Sequence, residues 1–199
     1  MEIKGKVVLI TGAGKGCGRT LAETFAEQGA RVALNDISPI NVDEVTDKIN
    51  ARGETAKSYI EDVAKKVGAQ ALVKSVVEDF GGIDILINHA AVEPHTPLLD
   101  MDEWDWHRTL DVNLTGAFLM MQSAGRVMRA QGRGAIINIV AGTGEGAVKE
   151  AGAYISSKAG LTALSHQAEI EFSPHGIRVY AVENSENIIK DIFALLEAA

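Results

Sequence analysis

The chain has 199 residues, 46% of them hydrophobic, and a formal net charge of −8. That length and apolar content suffice for one substantial core, so a single domain over residues 1–199 is expected, while the acidic balance leaves no basic stripe for nucleic-acid phosphates. One cysteine excludes a disulfide framework, no apolar run is long enough to span a bilayer, and residues 1–6 resemble neither a signal nor a transit peptide, so the expected compartment is the cytoplasm.

Lys6-Val7-Val8-Leu9-Ile10-Thr11 is a short β-branched run bounded by glycine, the pattern of a strand buried on both faces. Gly12-Ala13-Gly14-Lys15-Gly16-Cys17-Gly18 follows, and the amphipathic stretch 19–28 predicts a helix, so the glycines occupy a strand-to-helix turn. Glycine there lets the backbone turn sharply and lets a pyrophosphate approach the free N–H groups and positive dipole end of the helix. A plain flexible turn is the competing explanation. The next strand, 31–35, favours a dinucleotide because it ends in Asp36, at the separation expected for a carboxylate that bonds both ribose hydroxyls. Asp36, with Ile37 beside it, repels a 2′-phosphate and so favours NAD over NADP, whereas Lys15 in the glycine turn pulls toward that phosphate; the carboxylate occupies the ribose position itself and is expected to win. Cys17 is expected to fill a small apolar gap beneath the turn.

Ser38-Pro39 reads as an N-cap and first-turn proline that open a helix running to about residue 52. Residues 55–60 predict a third strand and 63–80 a helix stopped by Gly81-Gly82. A fourth strand, 83–87, runs into Asn88-His89-Ala90-Ala91. One long helix is expected over 102–130, a fifth strand over 135–139, a helix over 151–172, a sixth strand over 177–182 and a last amphipathic helix, capped by Ser185, over 188–196. Six strands alternating with six helices predict an α/β fold, a doubly wound parallel sheet with helices on both faces and ligands at the carboxyl ends of its strands. His89, His95 and His107 lack metal-ligand spacing and read as surface or cleft-rim residues, so no metal is expected.

Within Ala153-Tyr154-Ile155-Ser156-Ser157-Lys158-Ala159, four-residue spacing places a phenol and an ammonium on one helix face. A neighbouring positive charge favours phenolate, which lets a tyrosine exchange a proton below its free pKa of ~10 and makes Tyr154 a candidate general acid/base. A tyrosine packed under a solvated lysine has the same spacing.

Taken together, these residues resemble the short-chain dehydrogenase/reductase family over about 4–182. Thr11, Gly12, Gly16 and Gly18 match its Thr-Gly-x-x-x-Gly-x-Gly, Asp62-Val63 its Asp-Val adenine contact, and Asn88-His89-Ala90-Ala91 its Asn-Asn-Ala-Gly with two substitutions. Asn113 matches its helical asparagine, and Tyr154 and Lys158 its Tyr-x-x-x-Lys. The resemblance implies an NAD(H)-dependent oxidoreductase on a small-molecule secondary alcohol or ketone, closest in flavour to 3-oxoacyl-thioester reductases and polyol or sugar dehydrogenases. Tyr154 would give or take the proton of the substrate oxygen, Lys158 would lower its pKa and hold the nicotinamide ribose, and Asn113 would anchor a water linking Lys158 to solvent. Gly12, Lys15, Gly16, Cys17, Gly18, Asp36, Ile37, Asp62, Val63, Asn88 and Ala90, together with Tyr154 and Lys158, would bind the cofactor.

Two departures bear on catalysis. Where the family has a serine, thirteen residues before the tyrosine, this chain has Ala141, with Thr143 as the nearest hydroxyl. The Pro-Gly expected after strand six is Glu183-Asn184, so the family's substrate flap and closing seventh strand are not expected. These departures raise a second reading, a catalytically impaired relative that binds dinucleotide as a sensor or assembly subunit. An apolar face of Ala117, Met120, Met121, Ala124, Leu161 and Leu164 on the helices carrying Asn113 and Tyr154, part of which packing against the sheet within the protomer also explains, together with an uncovered edge at strand six, predicts a homodimer rather than a tetramer.

Overall fold

Consecutive β-branched residues make strands that are apolar on both faces, and such strands are stable only where helices cover both sides of the sheet. The computed structural model describes residues 2–141 and 148–198. Its strands are β1 (Val7–Thr11), β2 (Arg31–Asp36), β3 (Thr55–Ile60), β4 (Ile85–Asn88), β5 (Gly134–Val140) and β6 (Ile177–Glu183). They form one parallel sheet in the order β3-β2-β1-β4-β5-β6, the doubly wound arrangement expected from the sequence. The order reverses between β1 and β4, and an open parallel sheet leaves its crevice at such a switch point. Thr11 lies opposite Asn35 and Asn88, and Asn88 opposite Asn138, so the strands finish level along the carboxyl edge.

The helices are α1 (Gly16–Glu27), α2 (Pro39–Ala51), α3 (Lys66–Phe80), α4 (Glu103–Leu110), α5 (Ala117–Gln131), α6 (Gly152–Phe172) and α7 (Ile188–Glu197). Alternate residues of one strand serve opposite faces. Val8, Ile10, Ile85 and Ile87 pack with Leu21 and Phe25 of α1, Val42 and Ile49 of α2, and Ile188, Ile192 and Leu196 of α7. Leu9, Leu86 and Ile136 pack with Leu72 of α3, Met120 and Ala124 of α5, and Leu161 of α6.

Several boundaries differ from the expected ones for local reasons. The helix expected over 63–80 begins at Lys66, because the Asp62 carboxylate accepts the Ala64 N–H and the Asp62 carbonyl the Lys65 N–H, closing a turn first. The long helix expected over 102–130 is three pieces: α4, capped by Asp102 through the Asp105 N–H, then a π-helical segment Asp111–Gly116, then α5. Such π segments insert residues into a helix without ending it and re-aim the side chains they carry. Ser185 is not itself the cap of α7; that place is Asn187, whose N–H donates to the Ser185 hydroxyl.

The apolar stripe assigned to assembly is also corrected. Ala117, Met120, Met121, Ala124 and Leu161 are buried within the protomer, with Leu164 partly buried against them. At the β6 edge the Glu169 carboxylate takes the Val179 N–H and the Arg178 guanidinium, so this part of the edge is covered by a charged side chain. Among the described residues no helix is long and apolar enough to cross a membrane.

Candidate active site

At the end of β1 the chain must turn sharply beneath β4, and this contact dictates glycine. A Cβ on Gly12, at φ +67°, would lie 2.7 Å from Ala90 Cα, and one on Gly18 would strike the Gly12 carbonyl. Gly16, at φ +51°, faces open space. Helix α1 then starts on Lys15 without a side-chain cap and with no acidic residue in its first turn, which leaves its N-terminal N–H groups suited to an anion. Cys17 packs partly against the core below, and burial holds its thiol above the usual range, hence protonated.

Asp36 ends β2 with both carboxylate oxygens engaged. Oδ2 accepts the Gly14 N–H and Oδ1 the Ser38 N–H, each at 2.9 Å. A side chain on Gly14 would collide with that carboxylate, its Cβ 2.8 Å from Oδ2.

Two hollows share Gly12, Asp36, Ile37, Ala90 and Ala91 as a common wall. The larger, about 400 Å³, runs from Lys15 past His89 and Glu93 to Tyr154 and Lys158. The smaller, about 120 Å³, lies among Asp62, Val63, Arg108 and Val112. Of the residues singled out by sequence, Gly12, Lys15, Asp36, Ile37, Asp62, Val63, Ala90, Tyr154 and Lys158 therefore line one continuous cleft, and Gly16, Cys17 and Gly18 build the turn at its end.

Asn88 and Asn113 stand elsewhere. The Asn88 side chain is buried behind the cleft, its amide donating to Asn138 Oδ1 at 2.8 Å, and among the described residues its Oδ1 has no hydrogen-bond partner. Its side chain holds β4 to β5 rather than facing a ligand. The Asn113 side chain is also spent structurally: Oδ1 accepts the Val92 N–H at 2.8 Å, and Nδ2 donates to the Val92 carbonyl at 2.9 Å and to Ser157 Oγ at 3.0 Å. Both Nδ2 hydrogens are engaged, so a water anchored by Asn113 would have to donate to a carbonyl oxygen, that of the side chain or of the main chain.

Lys158 is buried, and its ammonium donates to the Ile139 carbonyl at 2.7 Å while lying 5.7 Å from the Tyr154 ring centroid. Burial pushes its pKa down to about 8 against the opposing pull of the Glu93 carboxylate. Ala141 follows β5 directly and offers no hydroxyl; Thr143 lies outside the described residues.

Sequence reasoning placed His89 on the surface or rim. It is instead held inside the cleft wall, its N–H donating to Thr11 Oγ1 at 3.1 Å and its Nδ1 3.2 Å from the Gly12 carbonyl. Burial lowers its pKa, the nearby Lys158 charge adds to that, and the Gly12 bond opposes it. Glu93, Asn41, Asn184 and Arg108 also line the cleft unforeseen. For His89 the signal existed, since it stands inside the Asn88-His89-Ala90-Ala91 turn; the others carry none in isolation.

A family model described as short chain dehydrogenase matches residues 6–185, and the chain belongs to this family. An uncharacterized oxidoreductase of Thermotoga maritima is 41% identical over 182 residues, covering 92% of this chain and 72% of that protein. A metagenomic short-chain oxidoreductase in complex with NADP is similar at a TM-score of 0.91 and 32% identity, covering 100% of this chain and 93% of its own. NAD+-bound xylitol dehydrogenase is similar at a TM-score of 0.87 and 34% identity, covering 92% of this chain and 71% of its own.

Proposed function

We propose that residues 1–199 work as one domain that oxidises a secondary alcohol or reduces the matching ketone with a nicotinamide dinucleotide, NAD in preference to NADP. The observation that carries this is the joining of the glycine turn, Asp36, Tyr154 and Lys158 in a single cleft. The cleft fits a dinucleotide: Gly16 faces open space above an uncapped helix start, and the small hollow at Asp62 and Val63 suits a flat apolar base. One of the solved relatives is bound to NADP and another to NAD+. The choice between them rests here on Asp36, whose two oxygens sit at the tip of β2 where a 2′-phosphate would bring like charge against them.

When bound, the dinucleotide supplies the hydride acceptor or donor. The protein supplies the proton path and the positioning. Tyr154 gives or takes the proton at the substrate oxygen, and Lys158, fixed by the Ile139 carbonyl, provides the adjacent positive charge and a donor for the nicotinamide ribose. Asn113 acts indirectly, by holding Val92 and, through Ser157, the turn of α6 that bears Tyr154: Ser157 Oγ donates to the Tyr154 carbonyl at 2.6 Å. Ala141 leaves the substrate oxygen without the donor a serine would give, and losing one such donor costs about two to three orders of magnitude in rate. The family relatives are named as oxidoreductases and dehydrogenases, so an inactive dinucleotide-binding subunit is not the favoured reading. NADH oxidation followed spectrophotometrically against a panel of ketones tests the proposal.

We further propose a homodimer through α5 and α6. A groove between them is lined by Phe118, Gly125, Leu164 and Phe172, with Arg126 and Glu171 on opposite sides. A two-fold axis along it would set the basic helix of one protomer against the acidic helix of its partner.

A further inference from the structure

Among the described residues of the larger hollow, Lys15 and Asp36 belong to the glycine turn and β2, and Lys158 is turned onto Ile139, which leaves Glu93, on the segment between β4 and α4, as the charged residue there without a part in the reaction. Its backbone position is fixed from both sides. Just before it, Val92 is bonded through N–H and carbonyl to the Asn113 side chain; just after it, the Thr96 N–H donates to the Glu150 carbonyl at 3.0 Å. Between these anchors Glu93 lines the same hollow as Tyr154 and Lys158, close enough for its charge to favour the protonated lysine. Among the described residues its carboxylate makes no hydrogen bond or ion pair of its own.

A carboxylate is an acceptor only, able to take several O–H or N–H donors and repelling anions. Held beside the proton-transfer pair, it favours donors on the carbons flanking the reacting one. We infer that Glu93 determines substrate class: it accepts hydrogen bonds from neighbouring hydroxyls of an uncharged polyhydroxy alcohol, and it disfavours substrates with a carboxylate or phosphate next to the reacting carbon. This rests on the dehydrogenase reading above. A hydroxyl placed against the Glu93 carboxylate gains a charge-assisted hydrogen bond that an analogue lacking that hydroxyl cannot make.

The test is steady-state NAD+ reduction by the full chain and by Glu93→Gln and Glu93→Ala, with xylitol, with cyclohexanol as a plain secondary alcohol, and with gluconate as an anionic polyol. The expected result is a KM for xylitol raised about ten-fold in Glu93→Ala and less in Glu93→Gln, the ratio of kcat/KM for xylitol to that for cyclohexanol lowered about ten-fold in Glu93→Ala, and gluconate used better than by the unaltered protein. Equal KM changes for xylitol and cyclohexanol, or none for either, would overturn the inference while leaving the dehydrogenase reading intact. Turnover of none of the three, together with no oxidation of NADH by any ketone, would overturn both.

Discussion

Lys158 donates its buried ammonium to the Ile139 carbonyl at 2.7 Å, so a charge on α6 is tied to the end of β5 at the point where the sheet meets the cleft. The cost of that burial appears in its pKa, about 8 in the folded protein and ~10.4 in an unfolded chain. Between those values the unfolded chain binds a proton that the native one has released, so this residue's contribution to stability grows as pH rises through the window and is at its least favourable below pH 8. Relative to Lys158→Met, the unaltered protein should therefore gain about 2–3 kcal/mol in unfolding free energy between pH 8 and 10.5. Urea denaturation of both proteins at several pH values measures this, and parallel profiles would contradict it.

Asp36 should govern cofactor choice. Calorimetric titration is expected to show tighter binding of NAD(H) than NADP(H), and Asp36→Ala should narrow the gap by removing like charge from the 2′-phosphate position. The same variant frees the Gly14 and Ser38 N–H groups that the carboxylate now accepts, so NAD(H) affinity itself should fall. Equal or reversed affinities in the unaltered protein would refute the assignment.

Ala141→Ser should raise turnover by at least about ten-fold, because it restores a hydroxyl directly after β5, beside the cleft residue Ile139. Unchanged or lower kcat would show that Ala141 is not the place where the substrate oxygen needs a donor.

Light scattering should report a dimer. Leu164→Glu, which puts a charge into the groove between α5 and α6, should convert it to a monomer that keeps its far-ultraviolet circular dichroism. A monodisperse monomer or a stable tetramer in the unaltered protein would rule this assembly out.

Much of the fold was legible because its signals are local. Apolar runs such as Val7-Val8-Leu9-Ile10 admit little but a buried strand, and the alternation of strand and helix then leaves few topologies. The ends of β3 and α2 fall within a residue of those predicted. What escaped is non-local or stereochemical. The π-helical segment around Asn113 has no sequence period of its own, and it exists together with a tertiary bond to Val92, twenty-one residues upstream. The stripe from Ala117 to Leu161 is apolar whether it faces a partner or the sheet, and burial against Leu9, Leu86 and Ile136 decided for the sheet. In the site, Tyr154, Lys158 and Asp36 were readable because their spacing fixes their chemistry. Glu93 was not, since a lone glutamate on a loop acquires meaning only from the side chains across the cleft.

The central claim is that Tyr154 moves the proton while the glycine turn and Asp36 hold the dinucleotide. It is tested most directly by comparing the unaltered protein with Tyr154→Phe for NADH affinity and for alcohol-dependent NAD+ reduction in the same preparation. The account predicts NADH affinities within about two-fold and a kcat lower by about two to four orders of magnitude in the variant, the range general acid/base catalysis supplies. Equal turnover by the two proteins, or no turnover by the unaltered one with any alcohol or ketone, would contradict it.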